Sequence, residues 1–313
     1  MGITTNIDAV DMAFKVIGLV VLLVIILFVL TWTGLVKCSQ VPYWCDVYEM
    51  VLGQPRVLIV YGDSGLGNPE ALKLMLQDPR TVGANAVDLT HIDRLSLGNL
   101  KQYKLVIVEK SRVMSTEQLE MFRDYVWYNG GRLVWIADAG VEKAESDIKN
   151  VTDANGAAAN LDAAWVRVKD NDTEYDVIAF DEFLGISFIG NYCTERDCVN
   201  DNFTVGKILS ENTGNHPLIY GSSPALNLKI NKDRDFSIVK QFPNASTSNR
   251  VLTLDIGGKT QGKAHEIERY LPMIVTSQSG ERVAYYAYPP EYFALDNNYN
   301  TYIKNMYYGM LGK

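Results

Sequence analysis

The sequence predicts an α/β domain, a mostly parallel sheet with helices on both faces, behind one N-terminal transmembrane helix. Three observations carry this. An uncharged apolar stretch, "VIGLVVLLVIILFVLTWTGLV", lies between Lys15 and Lys37. Beyond it, continuous apolar runs such as "RVLIVYG", "KLVIVEK" and "RLVWIADAG" read as strands buried on both faces, as in a parallel sheet covered by helices. Between those runs lie segments of helical period with their own start and stop residues.

The apolar stretch, residues 16–36, would be roughly 31 Å long as a helix, which matches a bilayer's hydrocarbon core. Trp32, Lys15 and Lys37 suit its two interfaces. It is longer than the apolar region of a signal peptide and no A-x-A-like site follows it, so an uncleaved anchor after a 1–15 tail is expected. "LVK" before Cys38 argues against a lipoprotein cleavage site.

Charge near the span, with Asp8, Asp11 and Lys15 before it and Lys37 after it, barely sets orientation. Two other features place the C-terminal part outside the cytoplasm. The four cysteines fall into two close pairs, Cys38 with Cys45 and Cys193 with Cys198, without C-x-x-C spacing or a neighbouring His. Disulfides suit them better than a metal. Four N-x-[S/T] sequons, at Asn150, Asn171, Asn202 and Asn244, all follow the span. The expected location is therefore a cell membrane, crossed once.

Composition agrees with a globular domain and excludes one partner. Of 313 residues, 47% are hydrophobic and 21% charged, enough for a sizeable core. A net charge of −8 makes nucleic acid an unsuitable partner.

Element by element, residues 37–54 form a membrane-proximal stalk and the domain runs from 55 to 313. "RVLIVYG" is the first strand. "NPEALKLMLQD" is a helix with Asn68 as N-cap and Pro69 at its first position. "GANAVDLTHI" is the second strand, "SLGNLKQY" a short helix and "KLVIVEK" the third strand. In "STEQLEMFRDYVWYNGG", Ser115 and Gln118 make a capping box and the Asn-Gly-Gly end supplies a left-handed cap. "RLVWIADAG" is the fourth strand. The middle, about 141–215, is less regular, with "DEFLGISFIGNYC" read as a helix end entering a strand. From "HPLIYG" onward strands dominate, among them "FSIVKQF", "RVLTLDI" and "RVAYYAYP", before a closing amphipathic helix, "NYNTYIKNMYYGMLG".

These segments, with "LPMIVTSQSGERVAYYAYPPEYF", occur in the order found in class I glutamine amidotransferase-like domains. The chain resembles the non-catalytic, trehalose-utilisation-protein-like branch, and the related domain of the oligosaccharyltransferase 48-kDa subunit. The resemblance covers most of 55–313 and implies a flavodoxin-like sheet. It also implies a nucleophilic Cys on a sharp elbow after a strand. Here the elbow falls on Ala137-Asp138-Ala139-Gly140 and holds no Cys, which removes amidotransferase chemistry.

The first loop, "GDSGLGNP", invites a rival reading as the opening block of a GDS-type serine esterase. A serine needs a positioned base. The one Asp-x-x-His, Asp88 to His91, comes just after the second strand, and His216 and His265 lack that spacing. Asp63, Ser64 and His91 are the catalytic set this rival reading would use, as a membrane-anchored hydrolase or carbohydrate-active enzyme. As a binding loop, Gly62, Asp63, Ser64 and Gly65, with Asp138 from the elbow, sit where doubly wound sheets hold ligands. The loop is neither G-x-G-x-x-G nor a P-loop. No cofactor and no metal are expected. The leading expectation is a catalytically silent binding or scaffolding subunit of a membrane or envelope complex, with other membrane or envelope proteins, and a glycan, as partners.

Overall fold

The computed structural model describes residues 4–32, 55–144, 166–171, 174–210, 215–223, 225–242, 248–295 and 300–312, with isolated positions between 36 and 53. Contacts divide the chain into two compact units, Met1–Gln54 with Gly312–Lys313, and Pro55–Leu311.

In the first unit, α1 spans Thr4–Trp32 among the described residues, starting earlier than the apolar stretch alone predicts. Its Phe14–Thr31 window has a mean hydropathy of 3.0 and contains no buried residue, so it is long and apolar enough to cross a membrane. Trp44 Nε1 donates to Thr31 Oγ1 at 2.9 Å, and Phe28 and Tyr48 rings meet at 5.1 Å. Cys38 and Cys45 lie outside the described residues.

The second unit is built on a nine-stranded sheet. Five strands run parallel in the order β2 (Val87–His91), β1 (Val57–Tyr61), β3 (Leu105–Val108), β5 (Arg132–Ile136) and β17 (Val283–Tyr286). Val57–Val60, Leu105–Val108 and Leu133–Ile136 are all buried, because helices cover both faces. α2 (Pro69–Gln77) and the closing α7 (Asn300–Leu311) touch each other and the strands β1 and β5 respectively. The short α3 (Leu97–Leu100) and the longer α4 (Thr116–Trp127) form a second contacting group, joined by α5 (Phe180–Leu184).

Beyond β17 the sheet continues antiparallel through β16 (Tyr270–Ser277), β13 (Asn249–Asp255), β10 (Phe203–Ser210) and β11 (Ala225–Ile230). These strands are joined without crossover helices, so antiparallel pairing is the arrangement open to them. β9 (Ile186–Asn191) and β12 (Ser237–Gln241) form a separate ribbon in contact with β16. Smaller two-stranded pieces are β4 (Val113–Met114) with β6 (Glu142–Lys143), β7 (Val166–Asn171) with β8 (Glu174–Ala179), and β14 (Thr260–Gln261) with β15 (Glu266–Ile267).

Local signals act as their chemistry dictates. Asn68 accepts from Ala71 N to cap α2, Ser115 and Gln118 make the capping box of α4, and Gly130 takes φ +64 behind it. Pro217 instead starts a 3₁₀ turn, Pro217–Ile219, capped by His216, so "HPLIYG" itself is no strand.

Candidate functional site

The parallel half has the 2-1-3-4-5 order whose ligand crevice lies beyond the carboxyl ends of the first and third strands. Two loops meet there, Gly62–Asn68 after β1 and Glu109–Arg112 after β3. They are laced by backbone bonds: Gly62 N to Lys110 O, Lys110 N to Leu66 O and Arg112 N to Ser64 O. Gly65 and Gly67 take φ of +113 and +121, which L side chains rarely adopt.

Three amides at the end of the first loop already have partners. Leu66 N donates to Asp138 Oδ1 at 2.8 Å, Gly67 N to the Tyr292 hydroxyl at 3.1 Å, and Asn68 N to Glu291 Oε1 at 2.7 Å. The protein's own acidic groups therefore fill the cradle. Asp138 is 1% exposed and is further held by Arg112 Nη1 and Asn191 Nδ2, at 2.8 and 2.9 Å. Arg112 also donates through Nε to Glu142. Burial acts to lower the guanidinium's pKa, but the bonds and charges of Glu142 and Asp138 prevail and raise it.

Behind the loop sit two buried carboxyl groups, Glu109 from the end of β3 and Glu291 from the 3₁₀ turn Pro290–Leu295. Both Glu109 oxygens and Glu291 Oε2 are buried without a hydrogen-bond partner, while Glu291 Oε1 takes the Asn68 amide. Buried carboxylates with like-charged neighbours resist ionising together. Burial, then the neighbouring Glu291 charge, pushes Glu109 well above the usual carboxyl range; burial pushes Glu291 up as well.

The elbow after β5 has the geometry of a nucleophile turn without the nucleophile. Ala137 takes φ +51 directly after the strand and is fully buried. Its carbonyl accepts from the Tyr285 hydroxyl at 3.1 Å.

The residues of the esterase reading are placed as follows. Ser64 is exposed, and its carbonyl is bound by Arg112 N. His91 Nε2 lies 3.3 Å from Asp63 Oδ1 and its Nδ1 accepts from Asp93 N, so its ring is engaged without Ser64. His216 pairs with Glu281 at 3.0 Å and His265 with Glu195 at 2.8 Å. Gly62 is buried, facing Ser111. Asp63 and His91 thus pair at the end of β2 with no contact from the exposed Ser64 among the described bonds, while Asp138 lies inward among Arg112 and Asn191.

Cys193 and Cys198 are joined in a disulfide. Of the sequons, Asn202 is exposed and accepts from Asn231 Nδ2; Asn171 lies on β7, and Asn150 and Asn244 fall outside the described residues. Among the described residues no group of three His, Cys, Asp or Glu side chains is arranged to hold a metal.

A cleft of about 640 Å³ opens on the other side of Arg112, lined by Arg112, Glu142, Phe188, Lys240, His265 and Glu268 among others. A second hollow of about 370 Å³ continues it past Lys240 to Tyr270. Sequence reasoning missed this cleft, and with it Glu109, Glu291, Arg112 and the Glu195–His265 pair. The signal available was Glu109, an acid closing a fully apolar strand.

Comparison with known proteins bears on the fold. No family model matches the chain, and no curated protein matches it. Among solved structures, a ThuA-like protein from Bacteroides uniformis superposes with a TM-score of 0.54 at 15% identity, over 82% of this chain and 91% of that one. A ThuA-like protein from Parabacteroides merdae gives 0.40 at 14% identity, over 75% and 79%. The β-galactosidase from Rahnella sp. R3 gives 0.47 at 14% identity, over 83% of this chain but 32% of the enzyme. The domain after the apolar helix therefore shares the fold of the Bacteroides uniformis ThuA-like protein.

Proposed function

We propose that this chain is a single-pass membrane protein whose amidotransferase-like domain is silent at its elbow and serves as a binding or scaffolding subunit. The assembly would be one of the membrane or cell envelope, with the domain outside the cytoplasm; an accessory role near glycan transfer is one form of it. The observation that carries the reading is Ala137, a strained elbow closed by a methyl group beside a crevice filled with the protein's own carboxyl groups. Such an elbow supplies no nucleophilic side chain. α1 supports the anchor, and the disulfide supports an oxidising compartment.

The test is purification of the full-length chain from its native membranes in mild detergent. The expected result is no ammonia release from glutamine, resistance to carbonate extraction, and co-migration with other membrane chains at fixed stoichiometry. Ester turnover that disappears in Ser64→Ala would replace this reading with the esterase. A chain that always migrates alone would remove the subunit role.

A further inference from the structure

The cleft beside Arg112 contains a histidine held as a base would be. His265 lies on the loop between β14 and β15, lines the cleft and is 52% exposed at its side chain. Its Nδ1 meets Glu195 Oε1 at 2.8 Å, and Glu195 is 5% exposed. Glu195 Oε2 also accepts from Ala264 N and His265 N, at 2.8 and 3.1 Å. Those bonds, the His265 bond first among them, hold Glu195 below the usual carboxyl range against the effect of burial. An ionised carboxylate only accepts, so the Nδ1 proton is fixed toward Glu195 and the lone pair of the neutral ring is fixed on Nε2. With Nδ1 turned inward, Nε2 is the edge left to the cleft.

The pair is braced from both sides. Glu195 ends the short α6 (Tyr192–Glu195) inside the Cys193–Cys198 loop. The next two residues dock on the same loop as His265: Arg196 donates to Thr260 Oγ1, and Asp197 pairs with Lys263 at 2.6 Å. Three consecutive side chains of a disulfide-closed loop therefore grip one hairpin. The cations and anions of the cleft are mostly matched, Arg112 with Glu142 and Glu266 and Glu268 with Lys259. Lys240 is exposed with no partner among the described residues.

We infer that Glu195 and His265 form a general-base site in this cleft, with His265 the catalytic residue, Glu195 its positioning residue and an activated acyl ester the class of substrate it hydrolyses. In the step it supports, His265 Nε2 takes a proton from water as the water oxygen bonds to the acyl carbon. The ester C–O bond then breaks with its electron pair leaving on the alcohol oxygen, to which the imidazolium returns the proton. Lys240 is the cation available to the negative charge that develops on the carbonyl oxygen. The site is independent of the elbow and of Ser64, and of the subunit role proposed above.

The test uses the full-length protein in detergent with ¹⁵N-labelled histidine and p-nitrophenyl acetate as the probe. The chain has three histidines, and H265Q assigns the signal in question. The wild-type His265 signal is expected to show a protonated Nδ1 and an unprotonated Nε2, and E195Q to scramble that tautomer. Nitrophenolate release is expected to fall roughly 100-fold in H265Q and to be unchanged in S64A. A wild-type His265 with mixed tautomers, or H265Q turning over the probe like wild type, overturns the inference. Release that is lost in S64A instead assigns the activity to the first loop and overturns it too. The tautomer measurement needs no variant beyond the assignment, so a misfolded E195Q leaves the test intact.

Discussion

Gly67→Ala is the substitution that most directly probes the filled crevice. Gly67 has φ +121, and a Cβ there would stand 2.6 Å from Glu109 Oε2 and 3.2 Å from Glu109 Cβ. Glu109 is fully buried against Glu291, so it has nowhere to withdraw. The unfavourable backbone region costs about 1–3 kcal/mol, and forcing a methyl group into a filled space about 1–3 more. The sum, roughly 2–6 kcal/mol, is a large part of a domain's typical stability. Gly280→Ala is the control: its φ is +72, but a Cβ there meets nothing within 4 Å, so it should cost about 1–2 kcal/mol. Urea unfolding of the full-length chain in detergent, followed by the fluorescence of buried Trp135, gives both values. Glu109→Ala combined with Gly67→Ala should relieve the carboxylate contact, the closest one, and leave the Cβ contact and the backbone part. Equal costs at Gly67 and Gly280, or no recovery in the double variant, would refute the packing argument.

Three further outcomes follow from the geometry. Burial, opposed by the Phe236 and Cys193 amides, pushes Asp235 up to about 7; the native state then keeps a proton that the unfolded chain has already lost, so stability falls as pH rises from about 4 to 7. Asp235→Asn should flatten that decline by about one proton in a pH series of unfolding midpoints. Replacing Cys193 and Cys198 by Ser should cost about 2 kcal/mol for so short a loop and loosen the hairpin at 260–265, seen as faster amide exchange there. If the domain faces outward in a glycosylating compartment, Asn202→Gln should remove one glycan-dependent gel shift, since Asn202 is exposed; a bare Asn202 in such cells would count against that orientation.

Much of the fold was legible because the strands of the parallel block are apolar without interruption and their helices carry explicit caps. β1, β3 and β5 could be read from the sequence alone, as could the elbow, which follows β5 directly. The antiparallel strands were harder. β10 alternates irregularly between exposed and half-buried positions around a bulge, so it has no clean period to read. The site was least legible where its parts come from distant segments. Asp138 could be nominated from its place after a strand, yet its partners Arg112, Asn191 and Leu66 N meet it through tertiary contacts alone. Glu195 and His265 likewise share no local motif, and "GDSGLGNP" suggested a nucleophile where its amides and glycines serve an internal fit.

The position of β17 sets an order on how the domain is made. It pairs with β5 on one side and β16 on the other, joining the parallel and antiparallel halves of the sheet. During synthesis β5 must wait, edge open, while everything from 137 to 282 emerges. An uncovered apolar edge strand invites pairing with other chains. A nascent chain halted before residue 286 would therefore hold a four-stranded fragment with a bare flank and be a target for chaperones. A chain ending after that point would hold every strand of the sheet but lack α7, whose Tyr302, Ile303 and Met306 are buried.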